Sequence, residues 1–472
     1  MKKKFFIIII LFSLFLTSGF GCKLVDKEVK KAMEPITINY WRVWDGPDAF
    51  DEIIANYKQL HPFVNINYRK FRYSDYEKEI INALAEDKGP DIFSIHNTWV
   101  RKYQTKIEPM PDSITMAYPV VKGTLKKETI PELRTTKSTT LKEIKNNFVE
   151  AVYDDVVIKV KNEKSGSFEE RVFALPLALD TLAMFYNKDL LNNAGLPEPP
   201  SFWNKDFQQN VKKLTKQNVQ GQIIQAGAAL GGSANIERAS DILSILMMQN
   251  GAEMADKGGS ILFNRIPPAL AEQKYNPGLE ALLFYADFAN PAKEVYCWNK
   301  DMNNSLKLFS EGKLALMFGY SYHLPTIISQ APKLNFGIAK LPQIEGNSSV
   351  NFANYWVETV SDKSKHKSEA WDFIQFATKA EQAKSYLAKT KKPTALRSLI
   401  AGQLDDLEVG VFASQVLTAK SWYKGYDSAA MEKIMEEIID NVASGQMAVD
   451  GAINLGVQKA QQTMRAPNLN NE

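Results

Sequence analysis

The sequence predicts an α/β protein whose sheets carry helices on both faces, and three observations predict it. Residues 36–95 switch between strand-like and helix-like hydrophobic spacing in the order βαβαβ, which implies a parallel sheet. A second run of helices and strands follows residue 200. The length, 472 residues, allows two or three domains at roughly 150 residues each.

In chain order, residues 36–43 alternate as a strand does. Phe50, Ile53, Ile54, Tyr57 and Leu60 then recur at helical spacing, and Pro62 closes that helix. Residues 64–68 alternate again. Ser74-Asp-Tyr-Glu77 reads as a capping box, in which hydroxyl and carboxylate satisfy each other's orphan backbone donors; it opens a helix through Ile80, Ile81 and Leu84. Gly89-Pro90 ends that helix, and residues 91–95 predict a short buried strand. In such sheets ligands sit beyond the carboxyl ends of strands, here Trp44-Asp45-Gly46 and His96-Asn97-Thr98-Trp99. Residues 120–170 are charge-rich and weakly patterned, with strands expected over 152–160 and 171–175 around a turn near Gly166. Helices are expected over 204–217, over 236–249 (stopped by Gly251), and from Asn276-Pro277, an N-cap with proline at the first helical position. Strands over 314–318, 334–338 and 356–360 come next. The C-terminal third reads as helices over 368–379, 427–442 and 448–464. No internal repeat or low-complexity tract interrupts this pattern.

The formal net charge is +3, from 57 Lys and Arg against 54 Asp and Glu. Lys2, Lys3 and Lys4 account for the excess, because the first 21 residues hold no acid. The remaining body is neutral, which argues against a nucleic-acid partner; such proteins need basic surface to displace counterions from phosphates. The three lysines precede 12 apolar or small residues, Phe5 to Leu16, and then Thr17, Ser18, Gly19 and Gly21. This is the pattern of an export signal, and the run falls short of the roughly 20 residues that span a bilayer. Cys22 sits where a bacterial lipoprotein signal places its lipidated cysteine. Gly21 fits that motif, whereas Gly19 and Phe20 do not, so a conventionally cleaved or retained leader is the alternative. The resulting layout is a lipoprotein signal over 1–21 and a polar tether over 22–35. With only Cys22 and Cys297 there is no disulfide framework, and Cys297 reads as a small buried apolar residue.

Catalytic patterns are thin. Gly319-Tyr-Ser321-Tyr-His323 misses the final glycine of a nucleophile elbow, and Gly312-Lys313 lacks the upstream glycine of a phosphate loop. The histidines, His61, His96, His323 and His366, are scattered, so neither a metal nor another cofactor is expected. Aromatic residues say more. Trp41, Trp44 beside Asp45, Trp99 beside Asn97, Tyr320 and Tyr322 around Ser321, Tyr355 and Trp356 after Asn354, and Trp422-Tyr423 fall at strand ends or in loops next to hydrogen-bonding groups. Ring faces beside polar groups suit a sugar; the same rings also suit a packed core.

From Ala174 to Gly195, reading ALPLALDTLAMFYNKDLLNNAG, and then Pro199-Pro200-Ser-Phe-Trp203, the chain resembles the bacterial extracellular solute-binding proteins of ABC importers, family one. Gly89-Pro-Asp-Ile-Phe93, Gly312 to Gly319, Asn335 to Pro342 and Ser364 to Phe376 continue the resemblance in family order, from about residue 36 to 465. Two departures are a longer stretch over 110–170 and Gly-Tyr-Ser-Tyr where Gly-x-Trp is common. The resemblance implies a two-lobed periplasmic-binding-protein fold, type II-like, each lobe a sheet flanked by helices, with the ligand in the interlobe cleft. The expected lobes are 36–179 with 356–400, and 180–355 with 401–472. Strands would cross near Leu179-Asp180-Thr181, near Asn351 to Tyr355, and somewhere over 395–425. The implied function is capture of a carbohydrate, an oligosaccharide, by a monomeric lipid-anchored receptor facing the periplasm or extracellular space, which delivers it to ABC importer permease subunits. Asp180 matches an acidic ligand-binding position of maltose-binding relatives, with a hinge cap as the alternative role. Trp44, Trp99, Tyr320, Tyr322, Tyr355, Trp356 and Trp422 are the expected aromatic contacts, and Asp45 and Asn97 the expected hydrogen-bonding ones. A secreted carbohydrate-active enzyme, or a sugar receptor that signals without transport, is the rival reading.

Overall fold

The computed structural model describes residues 27–122, 128–162 and 165–466. Cys22, and with it the expected lipidation site, lies outside the described residues. The βαβαβ opening forms as its periodicity predicts: strands Ile36–Val43, Val64–Phe71 and Ile92–His96 are parallel neighbours, linked by helices Asp51–Leu60 and Tyr73–Ala85. Trp356–Ser361 enters the same sheet antiparallel to Ile92–His96, pairing Trp356 with His96. A second sheet runs in the order Lys216–Gln217, Ile223–Ala228, Leu314–Gly319, Ala183–Asn187, Phe336–Ala339.

Each sheet is the centre of its own apolar core. Leu179 packs in the first core and Leu182 in the second; Val350 belongs to the second and Ala353 to the first; Phe412 and Tyr423 belong to the second and Val416 and Ala419 to the first. The chain therefore changes core at three places, near 180, near 351 and over 400–423, where it weaves from the first core to the second, back to the first and again to the second. The passing segments pair with one another, Asp180–Thr181 antiparallel to Asn351–Asn354 and Asn351–Asn354 parallel to Ala419–Lys420. Two α/β lobes joined by a small sheet of crossing strands are the result, the architecture that the family resemblance implies.

Local chemistry explains both agreements and departures. Asn276 caps helix Pro277–Asp287 through its Oδ1, which accepts from Leu279 N at 3.1 Å. Gly278 in that first turn is required by packing: a Cβ there would lie 1.8 Å from the Phe263 carbonyl oxygen. The expected capping box at Ser74 does not form. The helix begins two residues earlier, with extended Arg72 rather than Ser74 at its N-cap, and Glu77 accepts from Lys102 at 2.6 Å and from the Tyr103 hydroxyl at 3.2 Å. A capping box does form at Thr140 and Glu143. Residues 152–160 are not one strand. Helix Glu150–Val156 buries Val152, Asp155 and Val156, and the strand Val157–Lys161 starts only beyond it. The helix expected over 204–217 is a π turn, Trp203–Phe207, followed by Gln208–Leu214 and then strand. The helix expected from 236 starts at Ala239, because Arg238 takes a left-handed backbone (φ 57°). Within the weakly patterned stretch lies a long hairpin, Ser113–Lys122 against Glu128–Lys137, with Pro119 opposite Pro131. Cys297 is fully buried, as an apolar packing residue would be. No helix among the described residues is long and apolar enough to cross a membrane.

Candidate functional site

Between the two cores lies a narrow pocket, a cavity of about 40 Å³ that opens to solvent. His96 and Thr98, at the carboxyl end of the first sheet, form one wall. Phe352 to Asn354, on a crossing strand, form its floor. Arg238, Asp241 and Glu432 line the opposite wall, with Ser421, Trp422 and Ser428 from the C-terminal part of the chain. The position follows from the parallel sheet: strands of such sheets point their carboxyl ends at the ligand.

The polar groups are neutral or already paired. Burial pulls the His96 pKa down to about 4, so its ring is uncharged near neutrality. Its Nε2 lies 3.2 Å from Asn354 Oδ1 and its Nδ1 2.8 Å from Thr98 Oγ1. With Asn354 Oδ1 as acceptor, the Nε2–H tautomer fits, and Nδ1 accepts from Thr98. Arg238 makes a bidentate pair with Asp241, both contacts 2.8 Å, and a third contact of 3.0 Å to Glu432. Asp241 also accepts from the Tyr320 hydroxyl at 2.6 Å. One guanidinium thus faces two carboxylates, and this wall has no cationic charge to spare.

The predicted site residues divide into three groups. Trp44, Trp99, Trp356 and Trp422 lie in or beside the cleft. Trp356 is the centre of a ring cluster, with its centroid 5.6 Å from Trp99, 5.9 Å from His96 and 6.3 Å from Trp44. The Trp99 Nε1–H donates to Ser428 Oγ at 2.9 Å, a direct contact between the walls. Trp422 lines the cavity and meets Phe263 edge-on.

Asp180 and Tyr322 form the second group, at the foot of the second sheet. Asp180 Oδ2 accepts from Ser321 N at 2.9 Å and Ser321 Oγ at 2.6 Å, and Oδ1 accepts from Thr181 N at 2.9 Å. It ties a crossing strand to the turn Ser321–His323, the geometry of a hinge cap. Tyr322 is 48 % exposed and stacks on Tyr320.

The third group is built into the cores. Tyr320 is buried and spends its hydroxyl on Asp241. Tyr355 is buried and donates to Asp155 at 2.6 Å. Asn97 is buried and donates to the same carboxylate at 2.9 Å. Asp45 accepts from Lys392 at 2.6 Å and Tyr386 at 2.7 Å, with Arg42 3.3 Å away; burial opposes its charge, but Lys392 and Arg42 outweigh burial and hold its pKa below the ordinary carboxylate value.

Sequence reasoning missed Arg238, Asp241, Ser428 and Glu432, which line the cavity. Only His96, already placed at a strand's carboxyl end, carried a usable signal. Arg238 and Glu432 are 194 residues apart, and nothing local marks them as partners. Among the described residues no group of three or more His, Cys, Asp or Glu side chains is placed to hold a metal ion.

Asp180 gives the site a pH dependence. Burial, the largest influence, raises its pKa to about 7 despite the hydrogen bonds that lower it. The folded chain therefore holds a proton there that the unfolded chain releases near pH 4. This group's stabilising contribution is complete below pH 4 and is lost as pH rises to about 7. The loss is on the order of 2 kcal/mol, roughly half of the full displacement, because the carboxyl keeps some solvent contact. Thermal melts of the wild type and Asp180→Asn at pH 4 to 8 check this: the difference between their midpoints should move in favour of Asn as pH rises.

A family model described as bacterial extracellular solute-binding protein matches residues 44–384. A putative binding protein of Brucella abortus is 25% identical over 237 residues, 50% of this chain and 51% of its own length. The galactooligosaccharide-binding protein of Bacillus subtilis is 25% identical over 253 residues, 53% of this chain and 54% of its own. The chain spans about half the length of these curated relatives. Among solved structures, the cyclic alpha-maltosyl-1,6-maltose binding protein from Arthrobacter globiformis superposes with a TM-score of 0.66 at 18% identity, covering 91% of this chain and 99% of that one.

Proposed function

The chain belongs to the bacterial extracellular solute-binding protein family, and from that premise we propose that it captures a neutral carbohydrate, an oligosaccharide, for an ABC importer. The observation that carries this reading is the cleft lining: indole and phenol rings beside neutral hydrogen-bonding groups, with its arginine already paired to two carboxylates. A sugar presents an apolar C–H face to a ring and hydroxyls to polar partners. A carboxylated or phosphorylated ligand would have to displace Glu432 from Arg238 to gain a cation. The names of similar proteins support the class, among them the galactooligosaccharide-binding protein of Bacillus subtilis.

The receptor does no covalent chemistry in this reading. Residues 36–179 with 356–400 make up most of one lobe and 180–355 with 401–472 most of the other, hinged at the crossing strands, where Ala353, Tyr355, Val416 and Ala419 pack in the first core. A ligand shifts that hinge only by binding the closed state more tightly than the open one. The chain acts as a monomer, held by lipid on Cys22 at the cell membrane and facing the periplasm or extracellular space. It hands its cargo to the permease subunits and has no nucleic-acid partner.

Thermal-shift and calorimetric titration of the full chain, with neutral mono- and oligosaccharides and their uronic-acid counterparts, tests the proposal. Neutral sugars should raise the melting midpoint and be recovered unchanged, and the acidic ones should bind at least about tenfold more weakly. Tight binding to peptides or metal ions, with none to any sugar, would overturn it.

A further inference from the structure

The hairpin Ser113–Lys122 against Glu128–Lys137 has two unlike halves. Near its base, Ile114 and Met116 are buried in the first core. From Pro119 to Lys122, and back from Thr129 to Pro131, its residues belong to neither core. Val121 there is 60 % exposed, beside exposed Lys122. A β-branched ribbon thus projects beyond the core that would bury it. Pro119 faces Pro131 in register, so each strand lacks a ladder donor, which disfavours a further strand at either edge.

The charge of this ribbon is one-sided. Residues 113–137 hold five Lys and Arg against two Glu, in a chain that is neutral beyond residue 21. Lys122 lies 3.3 Å and Arg134 3.9 Å from the same Glu132, so two cations share one carboxylate. Helix Lys27–Ala32, with three Lys against one Glu, packs on both strands of the hairpin and joins its basic surface.

That surface lies near the point where the chain would meet a membrane. Lys27 comes five residues after Cys22, and five extended residues reach at most about 18 Å. A lipid on Cys22 therefore brings the helix and the hairpin close to the headgroups, where an anionic leaflet attracts basic groups within about one Debye length. The hairpin also crosses the amino end of the first sheet: Thr115 and Ala117 share a small pocket with Lys31 and with Ile36 and Val64, the first residues of their strands. The cleft is at the opposite end of that sheet, at His96 and Thr98.

We propose that the outer part of this hairpin rests on the anionic surface of the bilayer that holds the lipid, through Val121, Lys122 and Arg134. The proposal rests on the lipid-anchored reading of Cys22. A chain docked in this way turns its cleft away from the membrane, open to solute.

The lipidated chain tests it, reconstituted in vesicles of phosphatidylcholine alone and of phosphatidylcholine with roughly one-third phosphatidylglycerol. Thr129→Cys, exposed on the hairpin, takes a donor dye; Cys297 is fully buried and Cys22 carries the lipid, so labelling is selective. Energy transfer to an acceptor on the headgroups should be at least about twofold greater in the phosphatidylglycerol vesicles, and should fall to the phosphatidylcholine level at about 0.5 M salt. Adding Val121→Ser and Lys122→Glu should abolish the difference and leave the melting midpoint unchanged. Equal transfer in both vesicles, or a difference that survives salt and the double substitution, would overturn the hairpin contact and leave the anchor in place. A gain that appears only with the permease subunits present would make the hairpin a protein-docking surface and overturn the membrane contact. An unmodified Cys22, read by mass spectrometry of the N-terminal peptide, would overturn the anchor and the proposal with it.

Discussion

Asp155→Ala is expected to destabilise the folded chain by about 3 kcal/mol and to loosen the junction beside the cleft. The Asp155 side chain is 1% exposed and accepts from Asn97 Nδ2 at 2.9 Å, from the Tyr355 hydroxyl at 2.6 Å and from Ser421 Oγ, and it pairs with Lys424. These partners come from the end of the first sheet, the segment just after the second crossing, and the segment just after the third. One carboxylate thus fastens three parts of the chain that must keep register when the lobes move. Removing it strands the buried Asn97 amide, leaves the Tyr355 hydroxyl with only the Ala151 carbonyl, and takes the acceptor from the half-buried Ser421 hydroxyl and a lysine. The lysine keeps 30% exposure and can turn to solvent, which holds the cost below that of a fully enclosed pair. Urea unfolding gives the stability change, and small-angle scattering of the unliganded chain gives the dimensions. Asp155→Asn, which keeps an acceptor but not the charge, should cost roughly half as much. A loss below about 0.5 kcal/mol for the alanine variant would mean that the network is not what fastens these segments.

Asp155 also shows where sequence reading stops. It sits in a β-branched run, Val149 to Val160, whose composition favours strand, yet the first half folds as a helix that points Asp155 inward. The parallel strands, the Asn276-Pro277 cap and the Gly166 turn are local events, and local spacing was enough to place them. The hairpin over 113–137 was not visible, because Pro119 and Pro131 break the alternation that marks a strand. The site was legible at the level of strand ends and not of side chains. Trp44 and Asp45 are adjacent, yet one ring faces the rim and the other carboxylate is sealed among Arg42, Tyr386 and Lys392. Tyr355 and Trp356 divide in the same way, one phenol inside the first core and one half-buried indole beside the cleft, against His96. Alternation along a strand says that neighbours face opposite ways, but not which of them meets the ligand.

Trp356→Ala should have the largest effect on binding, lowering sugar affinity about a hundredfold or more. Its ring is the meeting point of Trp44, Tyr73, Tyr76, His96 and Trp99. Removing it takes away the ring on which these others pack and frees His96 and Trp99 to turn. His96 lines the cavity and Trp99 donates to Ser428 across it, so the loss is of positioning as well as of stacking. The backbone is less exposed to the change: Trp356 pairs with His96 in register, and Val357 and Val360 beside it remain buried in the first core. A stability loss of about 3 kcal/mol is expected from the deleted ring. Binding is therefore compared at a temperature where both proteins are folded, as judged by circular dichroism. Trp356→Phe separates the two contributions. It restores a flat apolar face and should recover most of the stability and about half of the lost binding free energy, because phenylalanine is too short to reach both Trp44 and Trp99. If Trp356→Ala binds sugar within threefold of the wild type, the ring cluster is packing for the first lobe, and the ligand must be held by the His96, Asn354 and Ser421 side of the cavity alone.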